Sequence, residues 1–286
     1  MARPVRNIFT IDVEDWFQVE NYASVIERDR WPELELRVEA NVDRLLALLA
    51  AKDVRATFFI LGWVAERVPE LVRRVARAGH EVASHGWSHR PIWNLTREQF
   101  AQEVRRSREL LCKLSGQDVT GYRAPTFSIT RETLWALESL AAAGYRYDSS
   151  IFPVHHDRYG IPDAPLAIHR RDEGLWEVPL SVFQAGSLRL PVAGGGYLRL
   201  YPRALTWEFE AMSASSRGSC RPFRSPRPAR SSPSSPGRRP HGIGRPPHMT
   251  RSPTQWAVTD GCRGEDRVRS PSNETGEWAH DQGSSA

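Results

Sequence analysis

The chain has 286 residues, 40% of them hydrophobic, enough to bury a sizeable core in one large α/β domain or two smaller ones. Its +5 charge belongs to the tail: Ser219 to Ala286 holds 11 Arg, no Lys and 6 acids, while the other 28 basic and 28 acidic residues cancel. The pI of 9.4 is therefore no sign of a nucleic-acid-binding surface, and the longest apolar run, Leu45 to Ala51, is too short to span a bilayer.

In chain order, Asn7 to Val13 reads as a buried strand that runs into the acidic cluster Asp12, Glu14 and Asp15. Glu35 to Ala51 follows as an amphipathic helix, and Ala56 to Leu61 as a second buried strand. Pro69 to Ala78 is a helix capped by Gly79, and Glu81 to Ser84 a third strand that delivers His85 at its carboxyl end. Thr96 to Ser115 is a long helix with Thr96 as N-cap, Gln99 in the capping-box position and Gly116 just past its end. Thr130 to Ala143 repeats that design before Gly144. Short strands end at Gly121-Tyr122-Arg123-Ala124-Pro125 and at Tyr147-Asp148-Ser149-Ser150.

Alternating strands and helices imply a parallel sheet with helices outside, either doubly wound or closed into a barrel. No glycine-rich phosphate loop follows the first strand, which argues against nucleotide binding. The N-terminus runs directly into a strand without an apolar signal segment, so a cytoplasmic location is expected. Cys112, Cys220 and Cys262 have no metal-ribbon or redox spacing, in keeping with a reducing compartment. From about Ser213 the text turns to Arg, Pro, Ser and Gly without apolar periodicity. Residues 1–212 are therefore read as the folded domain, and 213–286 as a disordered tail of the composition a shifted reading frame yields.

The chemistry concentrates at predicted strand ends. His85 and His89 with one carboxylate from the first strand make a three-ligand set for a catalytic divalent metal with a position left open. Residues two apart in a strand face one side, which favours Glu14 beside Asp12; a turn immediately after Val13 would favour Asp15 instead. Read alone, Arg123 could as well be a surface ion-pair partner and Asp148 a turn cap. Trp16, Phe17, Trp87 and Trp93 could line a sugar groove or simply pack.

The order of acidic strand end, His-x-x-x-His, Arg-x-Pro and Asp-Ser-Ser resembles the NodB-type polysaccharide deacetylases of carbohydrate esterase family four over roughly residues 7 to 210. Asp12 to Phe17 and Pro191 to Tyr197 resemble the branch found in exopolysaccharide loci of the PEP-CTERM/exosortase type. The resemblance implies a distorted (β/α) barrel, here incomplete at its C-terminal strands. It also implies a metal-dependent hydrolase that removes N-acetyl groups from a polysaccharide or oligosaccharide, with zinc as the default ion and cobalt, nickel or manganese also fitting. By the same resemblance, Asp12 is the general base, Arg123 orients it, Glu14 or Asp15 with His85 and His89 bind the metal, and Asp148 supports the groove wall. Trp87, Pro125 and Tyr197 are the candidate substrate contacts. A hydrolase of other carbon–nitrogen bonds, allantoinase-like, and a non-catalytic carbohydrate-binding protein are the alternatives.

One part of the family pattern is missing. The proton for the leaving amine is supplied there by a histidine on a late strand, whereas His241, His248 and His280 sit in the tail and His155, His156 and His169 come too early in the order. The expectation is a deacetylase that has lost its general acid, a group commonly worth about 10²- to 10⁴-fold in rate.

Overall fold

The computed structural model describes residues 8–202. The expectations placed beyond them, including the disordered tail, Cys220 and Cys262, lie outside the described residues.

Five parallel strands stand side by side in chain order: β1 (Thr10–Val13), β2 (Thr57–Ile60), β3 (Glu81–Ser84), β4 (Gly121–Tyr122) and β5 (Tyr147–Asp148). The helices between them are α1 (Val38–Ala51), α2 (Gly62–Arg67), α3 (Pro69–Arg77), α4 (Arg97–Ser115) and α5 (Ala136–Ala142). Beyond β5 the sheet continues with β7 (Trp176–Glu177), parallel to it, and ends with β6 (His169–Arg170), antiparallel to β7. A separate hairpin joins β8 (Val182–Ala185) to β9 (Leu188–Pro191) through Gly186, whose φ of 58° suits a two-residue turn, and α6 (Gly195–Leu200) follows. The α/β class with a mostly parallel sheet is as expected. Among the described residues β1 and β6 lie at opposite edges and do not pair to close a barrel.

The register fixes where side chains go. Val13 pairs with Ile60, Ile60 with Ser84, Ser84 with Tyr122, Tyr122 with Asp148 and Asp148 with Glu177, so these six residues form one row across the sheet. With a period of two, that row faces the helix-covered core, and the residues one step on, Glu14, His85, Arg123 and Ser149, turn to the other side at the carboxyl rim. Asp12, one step before the row, shares the side of Glu14. The core beneath is continuous, with Phe58, Ile60, Leu71, Val75, Val104, Leu111, Leu137 and Leu140 all buried against one another. Each such side chain contributes about 1.5–3 kcal/mol relative to exposure.

Two helix boundaries differ from the sequence expectation. α1 begins at Val38 rather than Glu35 because its first free N–H groups, those of Arg37 and Val38, donate to Asp15 Oδ2 at 2.7 and 3.0 Å, a cap supplied from far back in the chain. The helix expected over 130–143 is interrupted. Thr133 Oγ1 donates to the Ser128 carbonyl at 2.7 Å and accepts from the Thr130 N–H at 2.8 Å, holding a 3₁₀ turn over Arg131–Thr133, and α5 starts only at Ala136. α4 forms as expected, with the reciprocal Thr96–Gln99 capping box and Gly116 at φ 68°.

Asp148 and Glu177 form a fully buried carboxyl pair on the core side. Ser150 donates both Oγ–H and N–H to Asp148, at 2.6 and 3.1 Å, and the Ile151 N–H donates to Glu177 Oε1 at 3.2 Å. Burial, then the neighbouring Asp148 charge and hydrogen bond, push the Glu177 carboxyl well above its usual range, and burial also raises Asp148 against the pull of its hydrogen bonds. A carboxyl raised in the folded state stabilises the fold fully below its ordinary value of 4.5 and loses that contribution as pH rises through the folded value. Thermal melting of Glu177→Gln beside the parent from pH 5 to 8 should show the variant gaining on the parent as pH rises. Parallel profiles would mean that Glu177 is not protonated in the fold.

Candidate metal centre and active-site pocket

A pocket of about 280 Å³ opens at the carboxyl rim, lined by Asp12, Glu14, His85 and His89 together with Phe127, His156, Arg158 and Tyr159. Glu14, His85 and His89 place ligand atoms within 4.8 Å of one another. His85 Nδ1 lies 2.9 Å from the Arg123 carbonyl, an acceptor, so Nδ1 carries the proton and Nε2 turns its lone pair toward Glu14 Oε2, 3.8 Å away. Burial lowers the His85 pKa by more than the Asp12 and Glu14 charges raise it, which keeps the ring neutral and able to ligate.

The donor set fits a divalent cation on its own chemistry. Glu14 Oε2 approaches His89 Nε2, yet this buried oxygen makes no hydrogen bond. Such an atom, facing two imidazole nitrogens, is placed where a cation held by all three would be bound. Burial raises the Glu14 carboxyl, but His89 and His85 outweigh it and hold the group below its usual range.

The backbone around the site is held in costly shapes. His89, Thr126 and Phe127 have φ of 52°, 56° and 49°, a left-handed region that costs a non-glycine residue about 1–2 kcal/mol, and all three line the pocket. Arg28 restrains the His89 loop by donating from Nε to the Ser88 carbonyl at 3.1 Å, and Ser88 Oγ donates to Glu103 at 2.6 Å.

Arg123 connects the cation site to the carboxylate beside it. Its Nη1 donates to Asp12 Oδ1 at 2.8 Å and to Thr10 Oγ1 at 3.0 Å, its Nε to the Ser149 carbonyl at 3.0 Å, and its Nη2 to Ser149 Oγ at 2.9 Å. The guanidinium also lies over the Phe59 ring, 4.1 Å from its centroid. Burial pushes the Asp12 carboxyl up, but Arg123 and then the two histidines outweigh it, so the group stays below the usual carboxylate range. Asp12 keeps 27% of its side-chain surface exposed toward the pocket, so a water can reach it.

Residues 29–147 match the family described as polysaccharide deacetylase, and residues 149–221 match a domain of unknown function, DUF3473. The first of these matches covers less than half of the chain. His85, His89 and Arg123 lie inside it, Asp12 on β1 and Glu14 just past the end of β1 precede it, and His156, Arg158 and Tyr159 belong to the second segment. A peptidoglycan deacetylase of Helicobacter pylori is 34% identical over 119 residues, 42% of this chain and 39% of its own length. The peptidoglycan-N-acetylglucosamine deacetylase of Bacillus cereus is 32% identical over 111 residues, 38% of each chain. A chitooligosaccharide deacetylase of Rhizobium leguminosarum is 30% identical over 112 residues, 39% of this chain and 48% of the relative. The match thus spans less than half the length of each of these relatives. A solved structure from Mycobacterium smegmatis, of a protein assigned to the polysaccharide deacetylases, superposes with a TM-score of 0.50 at 26% identity, over 74% of this chain and 72% of that one.

The structure brings Asp12, Glu14, His85, His89 and Arg123 together and sets the other sequence candidates apart. Asp15 is no ligand: it is buried, and its carboxylate accepts the backbone N–H groups of Trp16, Arg37 and Val38. Asp148 is not at the groove wall, because the period-two register turns it to the core side with Glu177. Trp87 is not a substrate contact. It packs against Gly62, where an added Cβ would lie 2.5 Å from its ring, and the Arg106 guanidinium covers it at 3.4 Å from the ring centroid. Pro125 is buried between pocket-lining Ala124 and Thr126, its ring under Gly86 rather than in the pocket. Tyr197 stands one layer back, its hydroxyl 3.2 Å from that of Tyr159. Phe17 is buried, and the exposed Trp16 and Trp93 are not among the pocket-lining residues. Of the other lining residues, Phe127, Arg158 and Tyr159 lie in turns and loops that carry no periodic signal, and chain order alone sets His156 aside.

Proposed function

We propose that this chain is a metal-dependent deacetylase that hydrolyses N-acetyl groups of a polysaccharide, with Glu14, His85 and His89 as the metal ligands and Asp12 as the general base. The observation that carries this reading is the convergence of those ligands on a pocket that also holds the Asp12–Arg123 pair. A divalent cation held there would supply Lewis acidity toward the acetyl carbonyl and acidify water at neutral pH; zinc suits two imidazoles and a carboxylate, and cobalt, nickel or manganese would also serve.

The chain's own residues account for the rest. Arg123 occupies Asp12 Oδ1, which leaves Oδ2 to take a proton from the attacking water, and the same guanidinium keeps Asp12 ionised until it does. The Arg123 carbonyl holds the His85 tautomer, so one residue sets both the base and a ligand. Phe127 and Tyr159 offer aromatic faces at the pocket wall, suited to the apolar side of a sugar ring. The relatives support acetylated glycans as the substrate class, and the stretches Asp12 to Phe17 and Pro191 to Tyr197 favour an exopolysaccharide precursor. The allantoinase-like and binding-only alternatives are not favoured by these relatives.

The test is acetate release by the full chain, after chelation and after zinc is restored, from N-acetylglucosamine oligomers, peptidoglycan strands and an N-acetylated exopolysaccharide. Release that disappears with chelator and returns with zinc is expected on at least one of them. A zinc-loaded chain that frees no acetate from any would overturn the reading.

A further inference from the structure

We propose that His156, in the loop after β5, donates the proton to the leaving amine, so that the general acid comes from residues 154–160 and not from a late strand. The inference rests on the deacetylase reading above. Amide hydrolysis on this site forms a C–O bond from water to the acetyl carbon and breaks the C–N bond. Asp12 takes one proton from the water, and the departing nitrogen must receive one, or it would leave as an unstable anion.

Six histidines fall among the described residues. His80 is buried against Phe58, His85 and His89 belong to the cation site, His155 lines a different hollow beside Arg189, and His169 stands on β6 with its Nδ1 at the Ala167 carbonyl. His156 lines the same pocket as Asp12, Glu14, His85 and His89. Chain order makes it look too early for the part, and the fold cancels that objection.

The ring is held by its neighbours. It stacks on Tyr159 with centroids 3.8 Å apart and planes 6° from parallel, and Tyr159 in turn stacks on Phe152. Its Nδ1 edge faces Asp157 Oδ1 at 2.7 Å and the Arg158 N–H at 3.1 Å. Among the described residues Nε2 has no hydrogen-bond partner. In the charged ring Nδ1–H donates to Asp157 and leaves Nε2–H to be given away; in the neutral ring Nδ1 can instead accept from the Arg158 N–H. The charged and titratable groups around it are Asp157 and Arg158 on its own loop, the Tyr159 on which it stacks, and Asp12, Glu14, Glu20, His85 and His89 in the lining of the same pocket.

The loop itself is braced. The Val154 and Ile161 N–H groups both donate to the Phe152 carbonyl, at 2.8 and 2.9 Å, and Gly160, at φ 102°, sits so close to the Val154 carbonyl that a Cβ there would lie 2.3 Å from its oxygen. Arg158 Nη1 donates to Asn21 Oδ1 at 2.7 Å, tying the loop to the segment after β1. After the C–N bond breaks, the proton on Asp12 returns through solvent to His156 and the cycle closes.

The experiment compares the zinc-loaded full chain with His156→Gln and His155→Gln on an N-acetylglucosamine oligomer and on 4-nitrophenyl acetate, whose leaving group departs without a proton. His156→Gln should lower kcat on the amide by about 10²- to 10⁴-fold, keep KM and zinc stoichiometry, abolish the alkaline limb of the kcat profile and leave the ester rate within a few-fold of the parent. His155→Gln should match the parent on both. Amide turnover in His156→Gln close to the parent's, or an equal loss on both substrates, would overturn the proposal while leaving the deacetylase reading intact. A parent chain that frees no acetate sinks both.

Discussion

Glu14→Gln is expected to abolish stoichiometric zinc binding and with it acetate release, whereas Asp15→Ala should bind zinc like the parent and unfold more easily. The two carboxylates are neighbours in sequence and do opposite jobs. Glu14 Oε2 is a buried oxygen without a hydrogen bond, facing His85 and His89. Losing one of three ligands should weaken binding by more than the roughly 10- to 100-fold typical of groups that merely orient a ligand. Asp15 spends both oxygens on backbone N–H groups, and its own N–H is returned to Gln18 Oε1 at 2.7 Å. Removing it leaves the first turn of α1 without its cap, at a cost of about 1–3 kcal/mol. Calorimetric zinc titration and urea unfolding of both variants check the pair. Zinc lost from Asp15→Ala with its fold intact, or kept by Glu14→Gln, would reverse the assignment.

Asp12→Asn should retain zinc and lose about 10²- to 10⁴-fold in kcat, the ordinary worth of a general base. The amide can still accept from Arg123 but cannot take a proton from water. Arg123 keeps its bonds to Thr10 and Ser149, so the fold should survive with modest destabilisation. Single-turnover acetate release at saturating substrate, with zinc content measured on the same sample, separates a chemical defect from a binding defect. A variant that binds zinc and turns over at the parent rate would remove Asp12 from the mechanism.

How much of this could be read in advance depends on the kind of signal. α4 was legible end to end, because Thr96, Gln99 and Gly116 are local instructions whose partners lie within a few residues. The start of α1 was not, since its cap comes from Asp15 on another part of the chain. Asp148 was placed on the wrong face because a two-residue strand is too short to show its own alternation; its side follows from pairing with Tyr122 and Glu177. His156 was set aside on chain order, a criterion that stops applying once a loop folds back over the rim.

By itself the sequence determined the alternation of strand and helix, and so a parallel sheet whose strand ends share one rim. It also favoured Asp12 and Glu14 pointing the same way, because residues two apart in a strand share a face, but it left Asp15 open as the ligand. Only the tertiary structure decided that Asp15 caps a helix, that Asp148 turns into the core and that His156 lines the pocket of the cation site. Periodicity is a property of neighbouring residues, whereas register and loop path are set by contacts between residues far apart along the chain, which no local pattern encodes.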